Sequence, residues 1–512
     1  IYGMRGFSVS LLALAVWIAA LGAIPVLSAG IVASPAWADD GGGDGDGGGD
    51  GGDGDGGDGD GDGGESDGGD DGGASSSSDS GSASSGAGDG RARGGMSPGE
   101  GASPRDLLRG LRRLLRGQPA EPQRARPAPQ PAPRPERAPA EIVARGLTDD
   151  QTATLVSQGY AVLERADLVS LATTVRRLRV PEGTTLDAAR DTIRALPGAE
   201  AADFNHYYRA GQGSAVATPA TPACDGLHCP ARALIGWPVG LGPGGCGAPV
   251  TIGMVDTGLN TDHEVLAGAD IDLTRIAPEE YTPSAAIHGT AVAAILVGDP
   301  QTRVPGLLPG LPLVAVDAFH RASGDERTDA FTLVRALDHL SGRGVQVINL
   351  SLAGPPNAVL EDTLLQLTEQ RRIPVIAAAG NDGPRADPAY PAAYDNVIAV
   401  TAVDRGGTVY RRAIRGAHIA IAAPGVEIWT AASVKGARWK TGTSFAAPHV
   451  TAAVALWLQH DPRLTPPEIR ARLAASASDL GPEGHDETYG HGVLDLGGVC
   501  PGQATLLPAS AD

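Results

Sequence analysis

The chain has 512 residues, a formal net charge of -20, 73 glycines and 40 prolines. That length accommodates two or three domains, and the acid surplus argues against nucleic acid as a partner. Most of the surplus lies in residues 39–90, built from Asp, Gly and Ser. Such a segment buries too little apolar surface to offset its ordering entropy and is expected to be disordered.

Residues 1–38 read as an export signal. Met4 and Arg5 open a short positive region, 9–32 is nearly all apolar, and Ala36-Trp37-Ala38 is a small-x-small cleavage site. The apolar run is long enough to span a membrane as a retained anchor, but Pro25 and the terminal tripeptide favour cleavage. The expected location is therefore secreted or cell-envelope. Residues 39–140 form a linker, first acidic and Gly/Asp-rich, then basic and Pro-rich. Its leucine- and arginine-bearing piece at 107–116 reads as a short solvated helix rather than a membrane-surface helix. Residues 118–139 read as an extended polyproline-like spacer.

Order is expected from Glu141. Strands are read at 142–146, 160–165, 172–180 and 202–208, with helices at 148–158 and 186–196. Thr148 and Gln151 make a capping box for the first helix. The order βαββαβ over 141–210 suggests a small ferredoxin-like α+β domain, followed by a flexible link at 211–222.

From Cys224 to about residue 505, short apolar runs at 250–255, 313–318, 345–351, 375–379 and 397–403 suit strands buried on both faces. Helical stretches at 288–297, 328–340, 358–370, 444–459 and 466–475 alternate with them. The expected class is α/β with a mostly parallel central sheet flanked by helices, whose active groups lie outside the carboxyl ends of the strands. The four cysteines, Cys224, Cys229, Cys246 and Cys500, suggest disulfides in an exported chain. Pairing Cys224 with Cys229 and Cys246 with Cys500 is favoured, because the second bond ties the ends of the last domain together. Two other pairings are open, and the spacing fits no common zinc site.

Four segments carry chemistry. Asp256 ends an apolar strand in Asp256-Thr257-Gly258. An aspartic protease would need a second such motif, and none is present. His288 opens a helix in His288-Gly289-Thr290. Ser444 opens another in Gly442-Thr443-Ser444-Phe445-Ala446-Ala447-Pro448-His449, where helix-terminal N–H groups favour an oxyanion. Asn381, at the end of Ala379-Gly380-Asn381, brings an amide suited to the same charge. Individually, each residue is more commonly a cap, a turn or a surface group. Together, the order Asp–His–Ser is that of subtilisin.

On these motifs and on Asn349-Leu350-Ser351-Leu352, residues 232–500 resemble the subtilisin-like serine proteases. The resemblance implies that Ser444 is the nucleophile, His288 the general base and acid, Asp256 its orienting carboxylate, and Asn381 with the Ser444 N–H the oxyanion hole. It implies that Ser351, Leu352 and Ala353, with Gly380, bind an extended substrate. Ala353 stands where the family usually has Gly, which narrows the expected first specificity pocket. Val265 replaces a frequent calcium-ligating Asp, so a structural calcium, open in principle, is not supported at that position, and no other metal or cofactor is expected. The 141–210 domain resembles the subtilase propeptide, a chaperone-inhibitor cut off within about residues 208–232. The expectation is an exported, self-maturing, monomeric serine endopeptidase acting on peptides and proteins. An inactive binding module and an ester- or small-amide hydrolase are the rivals.

Overall fold

The computed structural model describes residues 134–199, 201–211, 226–238, 241 and 245–500. The expected signal, the acidic tail, the 107–116 helix, most of the Pro-rich spacer and Cys224 lie outside the described residues.

The first module follows the expected alternation. It comprises β1 (Arg137–Arg145), α1 (Asp149–Ser157), β2 (Ala161–Leu168), β3 (Thr173–Arg179), α2 (Leu186–Arg194) and β4 (Asp203–Ala210). The strands lie in the antiparallel order β2-β3-β1-β4. Thr148 caps α1 through the full capping box with Gln151, removing two otherwise unpaired donors. β1 begins at Arg137, earlier than the sequence suggests. The register shifts between Arg137 and Ile142, and Ala140 has a left-handed φ of 58°; the irregular Arg-Ala-Pro-Ala start hides a strand that re-pairs after a break.

The second part contains α3 (Cys229–Leu234), β5 (Ile252–Asp256), β6 (Ile271–Arg275), β7 (Thr282–Pro283) and α4 (Ile287–Val297). It continues with β8 (Leu313–Asp317), β9 (His320–Ala322), β10 (Asp325–Asp329) and α5 (Ala330–Gly342). Next come β11 (Val347–Leu350), β12 (Leu352–Ala353), α6 (Ala358–Leu365), β13 (Val375–Ala378), β14 (Ile398–Val403) and β15 (Ile419–Pro424). The hairpin β16 (Ile428–Ala431) and β17 (Ala437–Lys440) precedes α7 (Thr443–His460) and α8 (Pro466–Ser476).

Seven strands form one sheet in the order β15-β14-β13-β11-β5-β8-β6, every pair parallel. Its two faces follow the alternation of strand side chains. Ile252 and Met254 pack with α4 and α7 (Val292, Leu296, Val450, Val454). Val255, Val316 and Ile348 pack with α5 and α6 (Phe331, Val334, Leu360, Leu364). Burial on both faces is why these strands read as unbroken apolar runs. Cys246 and Cys500 form a disulfide across a separation of 254 residues, as favoured from sequence. Cys229 is also disulfide-bonded.

A second sheet crosses from one part to the other. The N-terminal half of β4 pairs with β1. Beyond it, Tyr207 and Tyr208 pair with Asp329 and Thr328 of β10, and Arg209 and Ala210 pair with Ala353 and Leu352 of β12. β4 therefore leaves its own module as an extended strand lying between two strands of the α/β part.

Candidate active site

Asp256 is the last residue of β5, so the parallel sheet delivers its carboxylate to the crevice at the strand ends. Asp256 is 1% exposed, and its Oδ1 accepts hydrogen bonds from the Thr257 N–H and from His288 Nδ1, each at 2.7 Å. His288 sits in the first turn of α4, whose entry is fixed by close backbone approach. A Cβ on Gly289 would lie 2.8 Å from the Gly258 carbonyl oxygen, so a larger residue would push the histidine helix away from the aspartate turn. The Gly289 N–H donates to Thr257 Oγ1 at 2.8 Å, tying the two motifs together.

Ser444 lies in the first turn of α7, after Gly442, and is 1% exposed. Its N–H is among the helix-terminal donors that lack an intrahelical acceptor. Its hydroxyl donates to the Ser351 carbonyl at 3.2 Å, while Ser351 Oγ donates to the Ser444 carbonyl at 2.9 Å. His288 Nε2 is buried with no hydrogen-bond partner among the described residues. The His–Asp half of the predicted triad is thus assembled, and the serine hydroxyl is turned toward the Ser351 carbonyl. Asn349, part of the recognised motif, donates from Nδ2 to Ser351 Oγ and accepts from Thr451 Oγ1. It locks β11 to α7 behind the serine.

Asn381 follows β13. Its Oδ1 accepts from both the N–H and the hydroxyl of Thr443, at 3.0 and 3.1 Å, and the Gly380 N–H donates to Thr443 Oγ1 at 3.1 Å. With the carbonyl end of the amide occupied, Nδ2 is left to face the cleft. Sequence reasoning missed this part played by Thr443. Its position beside the serine was the available signal, but only the fold shows which side chain it orients.

The cleft, about 700 Å³, is lined by Ala353, Gly380, Asn381, Ile414 and Ser444, and the end of β4 lies in it. A Cβ built on Gly211 would lie 2.6 Å from Asn381 Nδ2 and would run into Ser444 Oγ. Gly380, with a positive φ of 103°, allows its neighbours Ala389 and Ile414 to close the wall. Val265, at the position considered for calcium, is fully buried in the apolar core and offers no ligand atom. His449, also in the serine motif, is buried beneath it. Burial pulls its pKa down to about 4, and its Nδ1–H donates to the Phe445 carbonyl, so it is a neutral structural group.

The subtilase family model matches residues 247–492. Subtilisin DY of Bacillus licheniformis is 34% identical over 257 residues, which is 49% of this chain and 90% of that protein. Subtilisin BL of Lederbergia lenta is 32% identical over 253 residues, with the same two coverages.

The chain belongs to the subtilase family.

It is a serine endopeptidase of the subtilisin type. Among solved structures, fervidolysin of Fervidobacterium pennivorans, a keratinolytic enzyme related to subtilisin, shares the fold. The TM-score is 0.59 at 22% identity, and the match covers 72% of this chain and 61% of that one.

Proposed function

We propose that this subtilase hydrolyses peptide bonds through an acyl-enzyme on Ser444 and matures by cutting its own chain at Gly211–Gln212. His288 accepts the Ser444 proton and later donates it to the leaving amine, while Asp256 holds the imidazole tautomer and stabilises the imidazolium. Asn381 Nδ2 and the Ser444 N–H stabilise the oxyanion. Ser351, Leu352 and Ala353 bind the substrate as an added antiparallel strand.

One observation carries this reading. The end of the N-terminal module occupies the cleft as a substrate would, with Arg209 and Ala210 paired to Ala353 and Leu352 and Gly211 against Ser444 and Asn381. Counting back from the cut, Gly211, Ala210, Arg209 and Tyr208 are the first to fourth residues. The βαββαβ order and the β2-β3-β1-β4 sheet support a ferredoxin-like, propeptide-type chaperone-inhibitor over 134–211. The fold match with fervidolysin covers 72% of the chain, against 49% for subtilisin DY, which supports shared architecture beyond the peptidase.

Export is part of the proposal. Its supports are the 1–38 segment and a disulfide-bonded peptidase domain. Among the described residues no helix is long and apolar enough to cross a membrane. The enzyme is proposed to act as a monomer without a metal.

A fluorophosphonate should label Ser444 in the processed protein, and a casein assay should show hydrolysis that Ser444→Ala abolishes. Processed, folded protein that takes no label and leaves casein intact would favour the binding-module rival instead.

A further inference from the structure

The third residue of the bound segment meets a charged pocket that the peptide-strand reading does not require. Arg209 Nε donates to Asp325 Oδ1 at 3.0 Å and Arg209 Nη2 to Oδ2 at 2.7 Å. This is the planar two-pronged geometry that suits a guanidinium to a carboxylate and disfavours a lysine or a neutral amide. The Asp325 side chain is only 8% exposed. It belongs to the peptidase, at the start of β10, where a β9–β10 hairpin turn with left-handed Ser323 and Gly324 places it. It therefore remains when the module leaves.

Two other arginines reach this carboxylate. Arg134 of the module lies 3.8 Å from Oδ1, and Arg327 of β10 lies 3.3 Å from Oδ2. Burial pushes the Asp325 pKa up, but the hydrogen bonds and charges of Arg209 and then Arg327 outweigh it and hold the group below the usual carboxylate range. Once the module departs, Arg327 remains beside the carboxylate, and the two-pronged site is open.

We infer that Asp325 is a specificity-determining residue that selects substrates with arginine at the third position before the cut bond. The inference rests on the proposed function, since it takes Gly211–Gln212 as the cut that sets the register. Tyr208, the fourth residue, is fully buried beside Leu352 and needs Gly354, whose Cβ would strike its ring. The bound sequence before the cut reads tyrosine, arginine, alanine, glycine. A purely structural Asp325, holding the hairpin through Arg327, would affect all substrates alike.

The test uses the full chain after it has matured, with two quenched fluorescent peptides, Tyr-Arg-Ala-Gly-Gln and Tyr-Gln-Ala-Gly-Gln. Wild type should cleave the arginine peptide with kcat/KM about tenfold higher, the scale of one charge-assisted contact. Asp325→Asn should bring the ratio of kcat/KM for the two peptides to near one, whereas loss of a purely structural group would leave that ratio intact. Enzyme that is labelled at Ser444 yet cleaves both peptides equally overturns this inference alone. Absence of both labelling and cleavage sinks the proposed function and this inference with it. The wild-type comparison stands even if Asp325→Asn fails to fold.

Discussion

The N-terminal module and the peptidase domain bury their sheets in different ways. The peptidase closes both faces of its parallel sheet with its own helices. The module covers only one face of its sheet with α1 and α2, where Ile142, Ala144, Leu178 and Ile193 form a small core. The other face, including Val143, Leu168 and Val175, packs on Phe331, Val334 and Leu337 of α5 and Leu360 of α6. Neighbouring residues of one strand thus serve two different cores. A module of this size has little core of its own to spare, and the peptidase supplies the missing layer.

The polar contacts show the same dependence. The module supplies acceptors to the N-termini of two peptidase helices, where unpaired N–H groups and the helix dipole favour them. Asp203 Oδ2 accepts from the Ala358 N–H at 2.9 Å, and Asn205 Oδ1 from the Phe331 N–H at 3.3 Å. In the reverse direction, Asp338 of α5 accepts from Ser170 Oγ and the Leu171 N–H. Arg335 pairs with Glu164, and Arg145 with Asp362. Such an arrangement suits a segment that folds with the peptidase and leaves after its C-terminal strand is cut.

Substitutions can separate the two regions. The largest effect is expected in the catalytic half alone. Asn381→Ala should lower kcat by about 10²–10³, the loss known for the equivalent change in a subtilisin. Thr443→Val, which removes one of the two hydrogen bonds on Asn381 Oδ1 and the acceptor of the Gly380 N–H, should lower kcat by about tenfold with KM little changed. Steady-state kinetics on one peptide measures both, and a change confined to KM would contradict these assignments. Neither change should loosen the module.

Ile142→Ala and Val143→Ala probe the two faces of β1. In a Ser444→Ala background that keeps the chain whole, Ile142→Ala should destabilise the module by about 2–5 kcal/mol and expose it to limited proteolysis. Val143→Ala should cost about 1–2 kcal/mol and act mainly on docking, seen as faster release of the module after cleavage in an otherwise active chain. Equal effects of both on module unfolding and release would erase the two-core distinction.

Acid should act on the docked module through His206. Its Nδ1 lies 3.2 Å from Asn357 Nδ2, a donor that also bonds the Phe204 carbonyl, so the docked imidazole is an acceptor and neutral there. Burial lowers its pKa from 6.5. Asp203 and Glu136 raise it, and Arg137 and Arg190 lower it. Asn357 belongs to the peptidase, so its Nδ2–H favours the neutral ring only while the module is docked, and the docked imidazole binds fewer protons than the released one. Docking is therefore fully favoured above about pH 6.5 and weakens as pH falls from there toward the docked pKa. Release followed between pH 7.5 and 5 should accelerate in wild type and show a flatter profile in His206→Gln.

The smallest effect is expected at Tyr208, whose buried hydroxyl has no partner among the described groups. Tyr208→Phe removes an unpaired polar atom and should tighten the module by about 1 kcal/mol, read as slower release. Faster release would mean that the hydroxyl has a partner in solution.

The motif segments were legible because each candidate residue stands where an apolar strand stops or a buried helix starts. The two-faced burial of the parallel sheet made its strands legible for the same reason. The hairpin β9–β10 was not, because residues 320–329 are mostly polar and charged and gain their pairing from a strand more than a hundred residues away. β15 at 419–424 and β6 at 271–275, the two edge strands of the parallel sheet, were also missed. The second buried face of β1 was hidden as well. A strand buried on both sides reads like any apolar run, and nothing local says that the second layer comes from another domain. Asp325 and Thr443 share this limit, since each acts on a residue distant in the chain.

N-terminal sequencing of the matured protein, run beside Ser444→Ala, tests the central claim most directly. The wild-type peptidase should begin at Gln212, and the Ser444→Ala chain should keep the module covalently joined. A mature N-terminus elsewhere in a folded, active enzyme, or a Ser444→Ala chain processed normally in a host lacking other proteases, would contradict self-cleavage at the strand now lying in the cleft.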